Sequence, residues 1–452
     1  MKEFIDEYDE MLDLERSNTY GVYSYYDYYG KGDASEYTVE TLPSDTGDLQ
    51  SSLLDLGLEP TDKIVIRDCV YDQICSIYYP YYRDTIKNMI LTRLAFDYRF
   101  FVGSNNYRTI NQYLTQTGFF ANENNLYNYT GMNLSLEMAA VALQSITEQM
   151  YIELSSTEQT KAKVAQLIED VLQGYKDLVD DMDWLSNTTK EGIRRKLDNM
   201  AHTSCYADAY KNFPRLSTTN VGSTPLFEYY QRYVNAVTNI IANGQAEDND
   251  KWRQMPSYTV NAYYSALTNE FVILNGIVSG FLSDNVEEFY GMLGFVISHE
   301  ITHAFDSSGS QYDEYGSRRD WWASADKTKF NNKVTKMINF YGKIDQFDNH
   351  FVDGDLVDGE ATADMGGIRV MLKLAESIPD FDYDVFFRTC AYTWCTPTSD
   401  LSYMNYRIGD SHPLNYLRTN VTLAQFDKFV ETYDIGPGDG MYIPPSERVA
   451  IW

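Results

Sequence analysis

The chain has 452 residues, 44% apolar and 23% charged, which is long enough to bury a sizeable core and sets a prior of about three domains. Its 36 basic and 66 acidic residues leave a net charge of −30, and such a surface repels phosphate, so nucleic acid and anionic lipid are excluded as expected partners. An aromatic content of 15% supplies the burial that disordered chains lack.

The elements follow in chain order. Residues 2–14 show helical periodicity, and a loop-like stretch runs on to Gly47. The opening residues are acidic from Glu3 and carry no apolar core, so no signal peptide is expected within this chain. Residues 80–120 read as helix, with Ile86, Met89, Ile90, Leu94 and Phe96 recurring at three- and four-residue steps. Residues 134–212 form the strongest helical block. Ser135 can cap its first helix, and a second begins near Ser156 with Val164, Leu167, Ile168, Val171 and Leu172 on one face. A third begins near Thr188. Residues 259–277 alternate apolar and polar and read as strand followed by loop, and helix returns from Glu288. The longest apolar run, 271–282, is interrupted by Asn275 and two glycines and is too short to span a membrane. The fold class expected is mainly α with a small β component.

Cysteines 69, 75, 205, 390 and 395 are odd in number and form no C-x-x-C pair, so neither a disulfide framework nor a thiolate zinc site is expected. Small buried core residues are the simplest reading, with Cys69–Cys75 or Cys390–Cys395 pairing open in an oxidising compartment.

The chemistry concentrates at residues 295–306, FVISHEITHAFD. His299 and His303 are four apart, which on a helix sets both imidazoles on one face, as two ligands of a tetrahedral zinc require. Glu300 completes H-E-x-x-H and can serve as general base. The apolar flanks predict a buried helix, and buried histidines need a partner. Five histidines in the whole chain make an accidental match rare.

A catalytic zinc takes a third protein ligand and keeps one position open. In DGEATADMGGIR (358–369), Glu360 and Asp364 are also four apart, which makes Glu360 the natural third ligand. Asp364 can accept the free N–H of a zinc-binding histidine. Alone, such a carboxylate pair is more often a solvated helix face; its weight comes from pairing with His299 and His303. Gly366 and Gly367 would let another backbone approach closely. In GDSHPLNYLR, His412 follows Asp410 by two residues and precedes Arg418 by six. A protonated imidazole held by a carboxylate suits a developing oxyanion, and an arginine suits a peptide carbonyl; a loop histidine and a surface charge are the plainer readings. His202 and His350 read as structural. Asp353, Asp355 and Asp358 lack a calcium-loop pattern and read as a solvated loop and helix cap.

Taken together, VNAYY (260–264), ISHEITHAFD (297–306), GEATADMGG (359–367), YTWC (392–395), DSHPLNYLR (410–418) and a final Trp452 resemble the neprilysin family of zinc metallopeptidases. WLSNTTKEGIRRKLDNM (184–200) is similar to that family's W-x-x-x-x-T-K-x-x-A-x-x-K-L stretch. The resemblance implies a zincin-type catalytic lobe and a helical lobe that together enclose a substrate cavity, with the helical lobe over 1–212, incomplete at its N-terminus, and the zinc-bearing lobe over 213–452. It implies one zinc held by His299, His303 and Glu360, with Glu300 as general base and acid and Asp306 and Asp364 orienting the two histidines. It implies that His412, supported by Asp410, stabilises the transition state, and that Asn261 and Ala262 hold an extended substrate. Arg418 would contact the peptide near the residue following the cut, and Phe295, Val296 and Trp394 would line an apolar pocket for it. LNGIVSGF (274–281) departs from the family's proline-rich stretch, keeping only Gly276 and Ile277 in place. The family works mostly at the cell surface or outside, with some bacterial members cytoplasmic, which leaves localisation open.

The expectation is a zinc endopeptidase acting on oligopeptides. The alternatives are a zinc-bound but inactive peptide-binding fragment, recognised by binding without turnover, and a structural zinc protein, recognised by a fourth protein ligand.

Overall fold

A computed structural model describes residues 34–55, 58–67, 144–207, 228, 232, 255–347, 349–395, 409–449 and 451–452. The helices expected at 2–14 and 80–120, the cap at Ser135, and Cys69 and Cys75 lie outside the described residues. The chain divides into two compact units, Met1–Thr147 with Asn212–Lys251, and Glu148–Lys211 with Trp252–Trp452.

In the first unit, β1 (Ala34–Thr38) and β2 (Lys63–Arg67) pair antiparallel from Ala34↔Arg67 to Thr38↔Lys63, and α1 spans Leu49–Asp55.

The second unit begins within α2 (Gln144–Ser155). Next comes α3 (Glu158–Asp180), where the Thr157 hydroxyl caps the first turn by accepting from the Thr160 N–H at 3.0 Å. The apolar face expected from Val164 to Leu172 is buried and continues through Tyr175, Leu178 and Val179. In α4 (Asn187–Asp198) the start is set from a distance: Asp326 Oδ2 accepts from the Ser186 N–H (2.8 Å), the Ser186 hydroxyl (2.6 Å) and the Thr189 hydroxyl (2.8 Å).

The unit holds a three-stranded sheet ordered β3 (Ala201–Cys205), β5 (Glu270–Leu274), β4 (Ala262–Ser265). β3 runs parallel to β5 and β4 antiparallel, with Ala262 opposite Ile273. β5 is buried throughout, and among the described residues β4 forms an edge. The end of the 259–277 segment, expected as loop, instead begins α5 (Asn275–Phe281). Two glycines weaken its intrinsic helix preference, but buried Asn275, Gly276 and Val278 hold it by packing.

α6 (Val286–Phe289) passes through a π-turn at Tyr290–Gly294 into α7 (Phe295–Thr302), all eight residues of which are buried. α8 (Ser324–Tyr341) follows, then the short strands β6 (Asp345–Phe347) and β7 (His350–Phe351). α9 (Gly354–Ala375) is capped by Asp353, whose Oδ1 accepts from the Leu356 N–H at 3.2 Å, so part of the acidic run does serve as a cap. α10 (Tyr383–Thr393), α11 (Asn415–Leu423) and α12 (Asp427–Thr432) complete the unit.

α7 and α9 pack together over the length of α7. The close approach expected at Gly366 and Gly367 is made here. A Cβ on Gly366 would overlap the Thr302 side chain, and one on Gly367 would lie 3.1 Å from the backbone nitrogen of His299. Tyr175 on α3 hydrogen-bonds Thr302 at the same place. The expected lobes, 1–212 and 213–452, are contiguous, whereas the compact units are not. Residues 148–211 fall in one unit with 252–452 because α3 buries its apolar face on α9 and α4 bonds to the segment after α7.

Asp326 gives a stability prediction. Burial would raise its pKa, but Ser186, Thr189 and Lys329 outweigh it and bring it to about 2. A carboxylate with a depressed folded pKa stabilises above its unfolded value and ceases to do so as it is protonated in the fold. The stabilisation it provides is therefore full above about pH 5 and fades as pH falls towards 2. Asp326→Ala is expected to cost about 2–3 kcal/mol at pH 7 in urea unfolding, with the deficit shrinking at low pH.

No described helix is long and apolar enough to cross a membrane. Cys390 is buried and Cys395 exposed, both as free thiols, so the pairing left open for them is not formed. His202 stacks on Phe271 and His350 on Phe347.

Candidate metal centre

One face of α7 carries His299, and the 3₁₀ turn that continues it carries His303 (His303–Phe305). The Nε2 atoms of the two rings face each other at 3.1 Å. Glu360 on α9 closes the triangle, with Oε2 3.2 Å from His299 Nε2 and Oε1 3.6 Å from His303 Nε2. Among the described residues these three form the group able to hold a metal ion.

The outer ring atoms are fixed by carboxylates. His299 Nδ1 lies 2.9 Å from Asp364 Oδ1, and His303 Nδ1 lies 2.7 Å from Asp306 Oδ2. With Nδ1–H donated outward on both rings, the two Nε2 lone pairs point at one spot. Two lone pairs 3.1 Å apart repel unless a cation lies between them. Glu360 Oε2, moreover, is a buried oxygen without a hydrogen bond. Zinc with donors at about 2.0–2.1 Å in a tetrahedron spaces them about 3.3–3.4 Å apart, so the donor set fits that ion.

The electrostatics agree. Burial lowers the pKa of His299, but Asp364 and Glu360 outweigh it and the net direction is up; for His303, Glu360 and Asp306 do the same. Burial raises Glu360, and the two histidines bring it well below the ordinary carboxylate range. The site is built to hold positive charge.

Glu300 is 7% exposed. Burial raises its pKa, His299 and His303 oppose, and the net direction is up. His412 takes its orientation from Asp410, which accepts from the backbone N–H at 2.9 Å and lies 2.6 Å from Nδ1. Its Nε2 is 3.3 Å from Glu360 Oε2.

Arg418 on α11 is buried and donates from Nε to Asp364 Oδ2 at 2.9 Å and from Nη2 to Oδ1 at 2.7 Å. Burial would lower the pKa of Asp364's partner, but the carboxylate raises it, and the pair stays charged. The guanidinium also lies 3.6 Å above the Trp394 ring. Phe295 meets Trp394 edge-on at 6.1 Å, and both Phe295 and Val296 are buried. Ala262 opens the edge strand β4, which packs on α7, and the exposed Asn261 accepts the Ala262 N–H on its side-chain oxygen at 2.9 Å.

Two residues at the centre were assigned no role from the sequence, although Lys196 falls within the quoted 184–200 stretch. Lys196 on α4 is 1% exposed and donates to carbonyl oxygens of the segment after His303. Its signal was a lysine among Thr189, Gly192, Ile193 and Leu197, the buried stripe of that helix. Gly309 is the other: a Cβ there would overlap the His303 carbonyl oxygen.

Residues 33–207 and 261–449 match the two sequence models of peptidase family M13. The neutral endopeptidase of Lactococcus lactis subsp. lactis is 32% identical over 301 residues, 65% of this chain and 47% of that protein. Human endothelin-converting enzyme 1 is 25% identical over 330 residues, 67% of this chain and 42% of that protein. The chain thus spans about half the length of the curated relatives it matches. Among solved structures, the Mycobacterium tuberculosis zinc metalloprotease Zmp1 in complex with inhibitor superposes with a TM-score of 0.80 at 22% identity, covering 100% of this chain and 71% of that one. PepO from Lactobacillus rhamnosis gives 0.72 at 23%, covering 92% and 66%. Both carry the same largely helical fold.

Proposed function

The chain belongs to peptidase family M13, and from that premise we propose that it is a zinc-dependent endopeptidase that hydrolyses oligopeptides and favours a bulky apolar residue just after the scissile bond. The observation that carries the reading is the convergence of His299, His303 and Glu360 on one point, with Glu300 beside His299 on α7. His299, His303 and Glu360 would hold the zinc, which would supply Lewis acidity toward a carbonyl and a water of lowered pKa.

The chain's own groups do the rest. Glu300 takes a proton from the attacking water and passes it to the leaving nitrogen; a carboxyl raised above its ordinary pKa suits a group that must both accept and return a proton. His412, held through Nδ1 by Asp410, presents Nε2 to the oxygen on which charge develops. The edge strand β4 offers main-chain groups to an extended peptide, with Asn261 and Ala262 at its start. Arg418 is first the counter-charge of Asp364, and a peptide carbonyl is its second partner. Phe295, Val296 and Trp394 supply the apolar wall that sets the preference.

The test is zinc content together with cleavage of quenched peptides. One zinc per chain is expected, with cleavage abolished by a chelator and restored by zinc. A peptide with Phe or Leu after the cut should exceed its Asp counterpart in kcat/KM by about 10-fold or more. Tight peptide binding without turnover, at one zinc per chain, would contradict the proposal.

A further inference from the structure

We propose that Lys196 is a positioning residue of the metal centre: its ammonium gathers the carbonyls of Ala304, Gly309 and Tyr312 into one loop and so holds Asp306 against His303. The inference rests on the metal reading above.

The ammonium lies 2.8 Å from Ala304 O, 2.7 Å from Gly309 O and 2.8 Å from Tyr312 O. Three N–H donors thus meet three main-chain acceptors, which neither a neutral amine nor a shorter cation could match. The acceptors come from both ends of the segment that carries Asp306. Ala304 immediately follows His303, and its carbonyl lies at a helix terminus, where positive charge is favoured.

Inside this loop the Asp306 carboxylate is fully used. Oδ1 accepts from the Ser308 N–H at 2.8 Å and the Gly309 N–H at 2.6 Å, leaving Oδ2 on His303 Nδ1 at 2.7 Å. Gly309 packs on the His303 carbonyl with no room for a side chain. The loop therefore touches His303 at its ring and at its backbone, and Lys196 sits where the loop closes. Without the ammonium, the buried carbonyls of Ala304 and Tyr312 lose this donor and that of Gly309 keeps only the Tyr312 N–H at 3.1 Å, and the simplest relief is for the loop to open towards water, taking Asp306 with it. A freed imidazole loses its fixed tautomer and its aim.

α4 is itself tied down on the far side. The Asn269 amide donates to Lys196 O at 3.0 Å and to Glu314 O at 3.3 Å, linking α4 to the β4–β5 turn and to the end of the loop. Lys196 thus projects from a fixed base, as a positioning residue must.

The test is a double-mutant cycle on the 452-residue chain, read as zinc affinity in competition with a chromogenic chelator. Lys196→Met and Asp306→Asn are each expected to weaken zinc by about 10- to 100-fold. The double variant should fall no more than about twofold below Asp306→Asn, because Lys196 acts through Asp306. Lys196→Gln, which offers two N–H donors, should lie between wild type and Lys196→Met, and it carries the test if the methionine variant does not fold. A staple with no part in metal positioning would lower the thermal midpoint of the zinc-free chain yet leave zinc affinity within about twofold of wild type, or its loss would multiply with that of Asp306→Asn. Either result overturns the proposal. Wild-type chain that binds no zinc at all would contradict the metal reading instead, and the cycle separates the two.

Discussion

Glu300→Gln is expected to lower kcat for peptide hydrolysis by about 10²- to 10⁴-fold while leaving one zinc per chain. The amide keeps the shape of the side chain and sheds only its ability to take a proton. Glu300 is buried beside His299 but is not among the three metal-competent donors, so chemistry and metal binding should separate at this residue. The carboxylate also carries a negative charge next to two histidines, and its removal should alter zinc affinity far less than removal of Glu360. Full hydrolysis by the glutamine variant would remove Glu300 from the mechanism. Loss of zinc with loss of activity would make its role structural.

Arg418→Met should produce the largest loss of stability of any single change at the centre. Asp364 is 0% exposed, and its charge is met by both Arg418 and His299. Removing the guanidinium strands a carboxylate in a dry core, which costs about 3–5 kcal/mol. The methionine covers much of the same volume, so the cost reports charge more than packing. Asp364→Asn in the same chain should recover part of the loss, because the stranded charge goes with it. Urea unfolding of the two single variants and the double checks this. A double variant as unstable as the sum of the singles would show that the two side chains do not act as a pair.

The group able to hold a metal was legible because its spacing is local. His299 and His303, and Glu360 and Asp364, each lie one helical turn apart, and a turn is the distance over which sequence reports geometry best. The same holds for α3, whose apolar face repeats within its own residues. What was not legible depends on partners far along the chain. The start of α4, expected near Thr188, falls one residue earlier at Asn187, but the Asp326 carboxylate that holds it lies 140 residues from Ser186, which no local window contains. Residues 201–205, AHTSC, lie inside the block expected to be helical over 134–212, and form the strand β3 instead through parallel pairing with β5. The helix at 275–281 forms against its own glycines because buried neighbours require it. Arg418 was read toward substrate or as a surface charge; that it is buried, pairs with Asp364 and lies over Trp394 needs three elements brought together. Lys196 fits the same description: a misplaced charge on a buried stripe in the sequence, a three-carbonyl clamp in the fold.

The most direct measurement of the central claim is zinc K-edge absorption on the loaded chain, wild type beside Glu360→Gln. The account predicts one zinc per wild-type chain with two imidazole nitrogens and a carboxylate oxygen at about 2.0–2.2 Å, and a loss of most of the metal in Glu360→Gln. A thiolate ligand, a fourth protein donor, or full zinc retention by Glu360→Gln would contradict it.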